Sequence, residues 1–205
     1  MLKINAAVAK ALRCEDLMMC ADTLIGTMDA LGEGKDHFAL LGLPRCFALD
    51  RQQLEAHYRK VQEEVHPDRH ADLPARQRRL ALEWSSRVNE AWRTLRDPID
   101  RARYLIRLNS AQDDVENNTA MPPDFLMQQM AYRETLEWAQ VKGDIGQIEG
   151  LHRQIHNEMN AQIEALRQAI DEREDYTDAA LFVRQALFHR KLLEEIDQAL
   201  DAAST

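Results

Sequence analysis

The 205-residue sequence reads as an all-α protein: a helical hairpin with short flanking helices, followed by a three-helix bundle. Apolar residues recur at spacings of three and four through most of the chain, the period of one helix face. Proline and Gly-Asp breaks fall between the periodic stretches, where helices stop. No segment makes a convincing β-strand.

Residues 1–35 form an extension of uncertain structure. Ala6 to Leu12 and Leu17 to Met28 have helix-favouring residues, and Gly32 and Gly34 break the chain before Asp36. The extension has no uninterrupted apolar core of the kind a secretory signal needs. Next, Phe38, Leu40, Leu41 and Leu43 make an apolar cluster closed by Gly42 and Pro44. Asp50 is a good N-cap, with Gln53 three residues on, for a helix whose apolar face is Leu54, Tyr58, Val61 and Val65. Its other face carries Arg51, Arg59 and Lys60 among Glu55, Glu63 and Glu64. His66-Pro67 ends it, because proline lacks an amide donor and restricts the residue before it.

A second long helix is expected from about Pro74 to Arg96, with Leu80, Trp84, Val88, Ala91 or Trp92, and Leu95 inward. Asp97-Pro98 stops it, and a shorter helix follows over Ile99–Leu108. The hairpin module is therefore placed at 36–108 and a polar linker at 109–122. The bundle occupies 123–205. Its first helix runs from about Pro123 to Val141 and is interrupted at Gly143-Asp144. Ile145, Ile148, His152, Ile155, Met159, Ile163, Leu166 and Ile170 mark the second helix. Thr177 or Asp178 can cap the third, marked by Leu181, Phe188, Leu192, Ile196 and Leu200.

Composition limits the function. With 26 Lys and Arg against 35 Asp and Glu, the net charge of -9 argues against general nucleic-acid binding. No apolar run approaches the 18 or so residues of a membrane span. The charge is uneven: residues 36–107 sum to +3 and residues 108–205 to -11, which suggests two functional halves. Cys14, Cys20 and Cys46 are too few for a disulfide framework or a thiolate zinc site. His37, His57, His152, His156 and His189 are scattered and read as satisfied or solvated imidazoles. No G-x-G-x-x-G, P-loop or G-x-S-x-G motif is present.

The sharpest signal is His66-Pro67-Asp68-Arg69-His70, between the hairpin helices. Pro67 stiffens a tip that presents a histidine and a carboxylate, and a carboxylate can pair bidentately with a partner's arginine. From the residues alone, a docking tip and a passive solvated turn both remain open. A metal or acid–base site is the third reading, although the spacing matches no helical histidine motif.

These residues resemble a known family. Asp36 to Pro44, the His66-Pro67-Asp68-Arg69 loop, Asn89-Glu90-Ala91-Trp92-Arg93-Thr94-Leu95, and Pro98 with Arg101 to Leu105 resemble a J-domain. Phe125 to Met130, with Arg133, Glu134 and Leu136, narrows the resemblance to the HscB co-chaperones of iron–sulfur cluster assembly. The resemblance covers about residues 36–205 and implies a co-chaperone, not an enzyme, with no cofactor or metal of its own. It implies two partners: an HscA-like DnaK-type ATPase chaperone, stimulated by the J-domain, and an IscU-like iron–sulfur scaffold, delivered by the bundle. By resemblance His66, Pro67, Asp68 and Arg69 form the stimulatory loop, with Arg59 and Lys60 facing the chaperone's acidic surface. Leu126, Met127, Met130, Glu134 and Phe188 match scaffold-binding positions. Ala131 and Trp138 stand where a familiar bacterial member has acidic residues. Some eukaryotic members carry a cysteine-rich zinc element before the J-domain, whose paired pattern Cys14 and Cys20 do not reproduce. The expected location is the bacterial cytoplasm, with the mitochondrial matrix as the alternative. A general J-domain co-chaperone for a different client is the competing function, and a metal- or cofactor-binding helical enzyme the remote one.

Overall fold

A computed structural model describes residues 36–65, 75–109 and 120–203. All regular structure among them is helical. The chain divides into two compact units, one ending at Asp97 and the other beginning at Pro98.

In the first unit, α1 is His37–Leu40. Asp36 starts it by accepting the Ala39 amide at 2.8 Å, and its carboxylate pairs with Arg45. Phe38 is fully buried. Gly42 then takes a left-handed φ of 65° that lets the chain turn back. Helices α2 (Arg51–Val65) and α3 (Ala75–Arg96) form the hairpin. Asp50 caps α2, its Oδ1 accepting the Gln52 amide at 2.8 Å.

Leu54 and Val61 of α2 are buried, as are Ala81, Val88, Ala91 and Leu95 of α3. Leu80 and Trp84, expected inside, are only half-buried. Ala81 takes the inward place, so the stripe of α3 is turned by one residue at its start. Tyr58 locks the two helices: its ring stacks on Trp92 at 4.9 Å, and its hydroxyl donates to Asn89 Oδ1 at 2.9 Å. His57 Nδ1 donates to the Leu41 carbonyl at 2.8 Å, tying α2 to the turn after α1.

The second unit begins with α4 (Pro98–Asn109), which packs along the last helix. The sequence reading groups this helix with the hairpin. Helices α5 (Pro123–Lys142), α6 (Ile145–Arg167) and α7 (Tyr176–Ala203) follow. Pro123 opens α5 at a position where the missing amide costs nothing. Gly143, with φ 66°, closes it. A π-helical turn, Gln168–Glu172, continues α6, and its Ala169 and Ile170 are buried. Asp175 caps α7 by accepting the Asp178 amide at 3.0 Å. The cap therefore lies ahead of Thr177 and Asp178, which fall inside the first turn.

The bundle core gathers Tyr132, Leu136 and Ala139 of α5, Ile148, Leu151 and Ile155 of α6, and Leu192, Ile196 and Ala199 of α7. Helix α7 is narrow where it is buried: four of its eight buried residues are alanine. Phe188, which marks this helix in the sequence, is 37% exposed. Val183, Ala186 and His189 hold the inward positions on that stretch.

Candidate functional site

Two surfaces carry the residues singled out from the sequence, one on each unit. On the first unit, Arg59 and Lys60 project from the outer face of α2 and are exposed. Among the described residues, no carboxylate pairs with either. Asp50, Arg51, Gln52, Glu55, Ala56 and Arg59 line an open, shallow depression on that face. Two exposed adjacent cations attract an acidic partner over roughly a Debye length, about 8–10 Å in ordinary salt. His66, Pro67, Asp68 and Arg69 lie outside the described residues, in the nine-residue segment that joins α2 to α3.

On the second unit, α5 has two opposite faces. Phe125, Gln129, Tyr132, Leu136 and Ala139 are buried against the bundle. At about 100° per residue, Leu126, Met127, Met130, Glu134, Glu137, Trp138 and Val141 fall within an opposing arc of about 120°. Exposure follows that division: Leu126 is 40%, Met127 60% and Met130 62% exposed. A bundle helix normally hides its apolar side chains and turns polar ones outward. Here the outward face is itself apolar, with carboxylates set into it, and such a patch marks a docking surface.

Phe188 of α7 is partly exposed and meets Phe125, on the buried side of the first turn of α5, edge to face with ring centroids 5.8 Å apart. The structure thus places the four α5 residues Leu126, Met127, Met130 and Glu134 on one arc and brings Phe188 to the first turn of the same helix.

A polar network lies where α5 meets α6 and α7. Tyr132 donates to Glu158 Oε1 at 2.5 Å and accepts from Gln128 at 2.5 Å and Gln154 at 3.1 Å. Burial, then the hydrogen bond and charge of Glu158, push the Tyr132 hydroxyl up to about 12. His189 Nε2 stands 3.4 Å from the other oxygen of Glu158. Burial lowers the imidazole's pKa, and the Glu158 charge only partly opposes this. Gln128, Tyr132, Gln154, Glu158 and His189 therefore link α5, α6 and α7 on the bundle side of α5.

His189 corrects the expectation of a satisfied or solvated imidazole. It is 2% exposed, and neither ring nitrogen has a hydrogen-bond partner. Its place in the run Val183, Ala186, His189, Leu192, Ile196 was the signal for burial. His152 and His156 behave as expected of surface histidines, beside Asp197 and Asn160. Among the described residues, no three His, Cys, Asp or Glu side chains converge to hold a metal ion. Among those residues too, no helix is long and apolar enough to cross a membrane.

Comparison with known proteins returns matches for both halves. Residues 36–104 match the DnaJ domain, and residues 121–197 match the family described as HSCB C-terminal oligomerisation domain. The chain is 43% identical over 168 residues to the co-chaperone protein HscB homolog of Azoarcus sp., covering 82% of this chain and 95% of that protein. Against the Bordetella pertussis homolog the identity is 45% over 164 residues, covering 80% and 95%. Among solved structures, the chaperone HscB from Vibrio cholerae superposes with a TM-score of 0.72 at 29% identity, covering 82% of this chain and 99% of that one. The human co-chaperone protein HscB shares the fold, with a TM-score of 0.75 at 22% identity, covering 81% and 82%.

Proposed function

The chain belongs to the HscB co-chaperone family, and from that premise we propose that it couples an iron–sulfur scaffold to a dedicated ATPase chaperone. In this reading the J-domain meets an HscA-like DnaK-type chaperone and stimulates its ATP hydrolysis. Asp68 accepts hydrogen bonds from an arginine of that chaperone, while Pro67 holds the turn and His66 and Arg69 flank it. Arg59 and Lys60 steer the encounter along an acidic surface. The bundle carries an IscU-like scaffold on Leu126, Met127, Met130, Glu134 and Phe188. The chain supplies binding surfaces only; bond breaking belongs to the chaperone. We place this work in the bacterial cytoplasm.

The observation that carries the reading is the outward apolar face of α5, joined in one chain to a J-domain. A J-domain alone recruits a chaperone; a separate apolar docking face supplies the cargo. The test is steady-state ATP hydrolysis by the cognate chaperone, with this protein and the scaffold added singly and together. Synergistic stimulation that Asp68→Ala abolishes is the expected result. Stimulation indifferent to the scaffold would mean a J-domain protein with another client. No stimulation at all would remove the chaperone assignment.

A further inference from the structure

The apolar arc of α5 continues past Glu134. Trp138 is 64% exposed and Val141 86%, both on the same arc as Leu126 and Met130. From Leu126 to Val141 the stripe runs about 22 Å at 1.5 Å per residue. Lys142 covers one side of the indole, its Nζ 4.9 Å from the ring centroid. Of the three tryptophans, Trp84 and Trp92 are half-buried and Trp138 alone is exposed.

The other notable groups lie within the fold or beside it. The Tyr132–Glu158–His189 network is internal to the bundle. Among the described residues, His152 and His156 have no third ligand that would complete a metal site. Leu82 is a single exposed leucine on α3.

We propose that Trp138 and Val141 form a second apolar anchor for the scaffold protein, inserting the indole into an apolar pocket bordered by Lys or Arg side chains. This rests on the reading above, that the scaffold docks on α5. Two observations choose this occupant over a second copy of the chain. The patch is continuous with the Leu126–Met130 surface along one helix face. It also has Glu134 and Glu137 set into it, within a segment, 108–205, whose charge sums to -11. A twofold contact would press this acidic surface against itself, whereas a basic border on the partner complements it.

A large aromatic side chain at the centre of an interface usually dominates its energetics. The anchor therefore shifts recognition from charge toward burial, where salt has little leverage.

The experiment is calorimetric titration of the cognate scaffold into wild type, Trp138→Ala, Val141→Ala and Leu126→Ala/Met130→Ala. Tryptophan emission is followed in wild type and Trp138→Phe, and helicity and scaffold-free ATPase stimulation serve as controls. The expected result is a loss of affinity of about tenfold or more for Trp138→Ala. Val141→Ala should lose less. The blue shift seen on binding in wild type should be absent in Trp138→Phe. Wild-type affinity in Trp138→Ala and Val141→Ala, with loss in Leu126→Ala/Met130→Ala, would overturn the anchor and leave the docking surface standing. No binding by wild type would overturn both. Concentration-dependent self-association that Trp138→Ala abolishes, with scaffold affinity unchanged, would assign the patch to a second copy and overturn the proposal.

Discussion

His189 Nε2 lies 3.4 Å from Glu158 Oε2, in a side chain 3% exposed, and neither imidazole nitrogen has a hydrogen-bond partner. The ring is packed among apolar groups, with Phe125 edge-on at 5.4 Å between centroids. Protonating it puts a charge where water cannot reach, and one carboxylate only partly offsets that.

Stability should therefore fall on mild acidification. His189 has a lowered pKa in the folded state, so below its unfolded pKa, about 6.5, the unfolded chain binds the proton preferentially. Its contribution is complete above that pH and is lost progressively as pH falls from there through the lower folded-state pKa. Urea midpoints between pH 7.5 and 5.5 should drop in wild type and drop less in His189→Gln. Equal slopes in the two proteins would show that the titrating group lies elsewhere.

The Tyr132 hydroxyl should matter more than a surface phenol. Tyr132→Phe leaves Glu158 without its shortest donor and frees two glutamines, at a cost of about 1–3 kcal/mol. Alkaline difference absorbance should show Tyr132 ionising after the ordinary tyrosines, near pH 12. The raised pKa also has a stability consequence. The folded state keeps a proton that the unfolded state releases above about pH 10, so this group destabilises the fold as pH rises beyond that point. Chemical denaturation of Tyr132→Phe, together with its absorbance titration, checks both statements.

Gly143 tests a purely local cost. Its φ is 66°, and a Cβ placed there meets nothing within 4 Å. Gly143→Ala should destabilise the bundle by about 1 kcal/mol through backbone strain alone. Gly143→Asn should cost less, since asparagine enters the left-handed region more readily. Thermal or urea unfolding of the two variants gives the ranking; a reversed order would refute the argument.

Arg59 and Lys60 of α2 should act on encounter. Arg59→Glu with Lys60→Glu should raise the protein concentration giving half-maximal ATPase stimulation by about tenfold at low salt. Raising ionic strength should shrink the difference, because both side chains are exposed. A salt-independent defect in the double variant would indicate damage to the hairpin instead.

Much of the fold was legible because α-helical burial leaves a periodic trace. Leu54, Val61, Val88 and Leu95 are inside, as their spacing predicts. Asp50 caps α2, and Gly143 ends α5. Size and apolarity alone do not decide which residues of a helix are buried. On α7, Ala186 and His189, smaller or polar, hold inward positions beside the exposed Phe188. Ala81 displaced Leu80 and Trp84 in the same way.

The outward face of α5 could be suspected from Leu126, Met127 and Met130 standing too close for one stripe. Val141 carried no such signal, because a valine at a helix end fits either face. The Tyr132–Glu158 link joins residues 26 positions apart and depends on how α5 and α6 pack, which no spacing along one helix records.

The alanines of α7 have a further consequence. Helices flanked by methyl groups sit closer than helices spaced by leucine, so Ala179, Ala180, Ala186 and Ala199 act as a thickness gauge for the bundle. The residues proposed to dock sit on two different helices, Leu126 and Met130 on α5 and Phe188 on α7, and their spacing follows from how closely the bundle helices pack. A partner docking there would meet a preset template whose dimensions belong to buried positions it never touches.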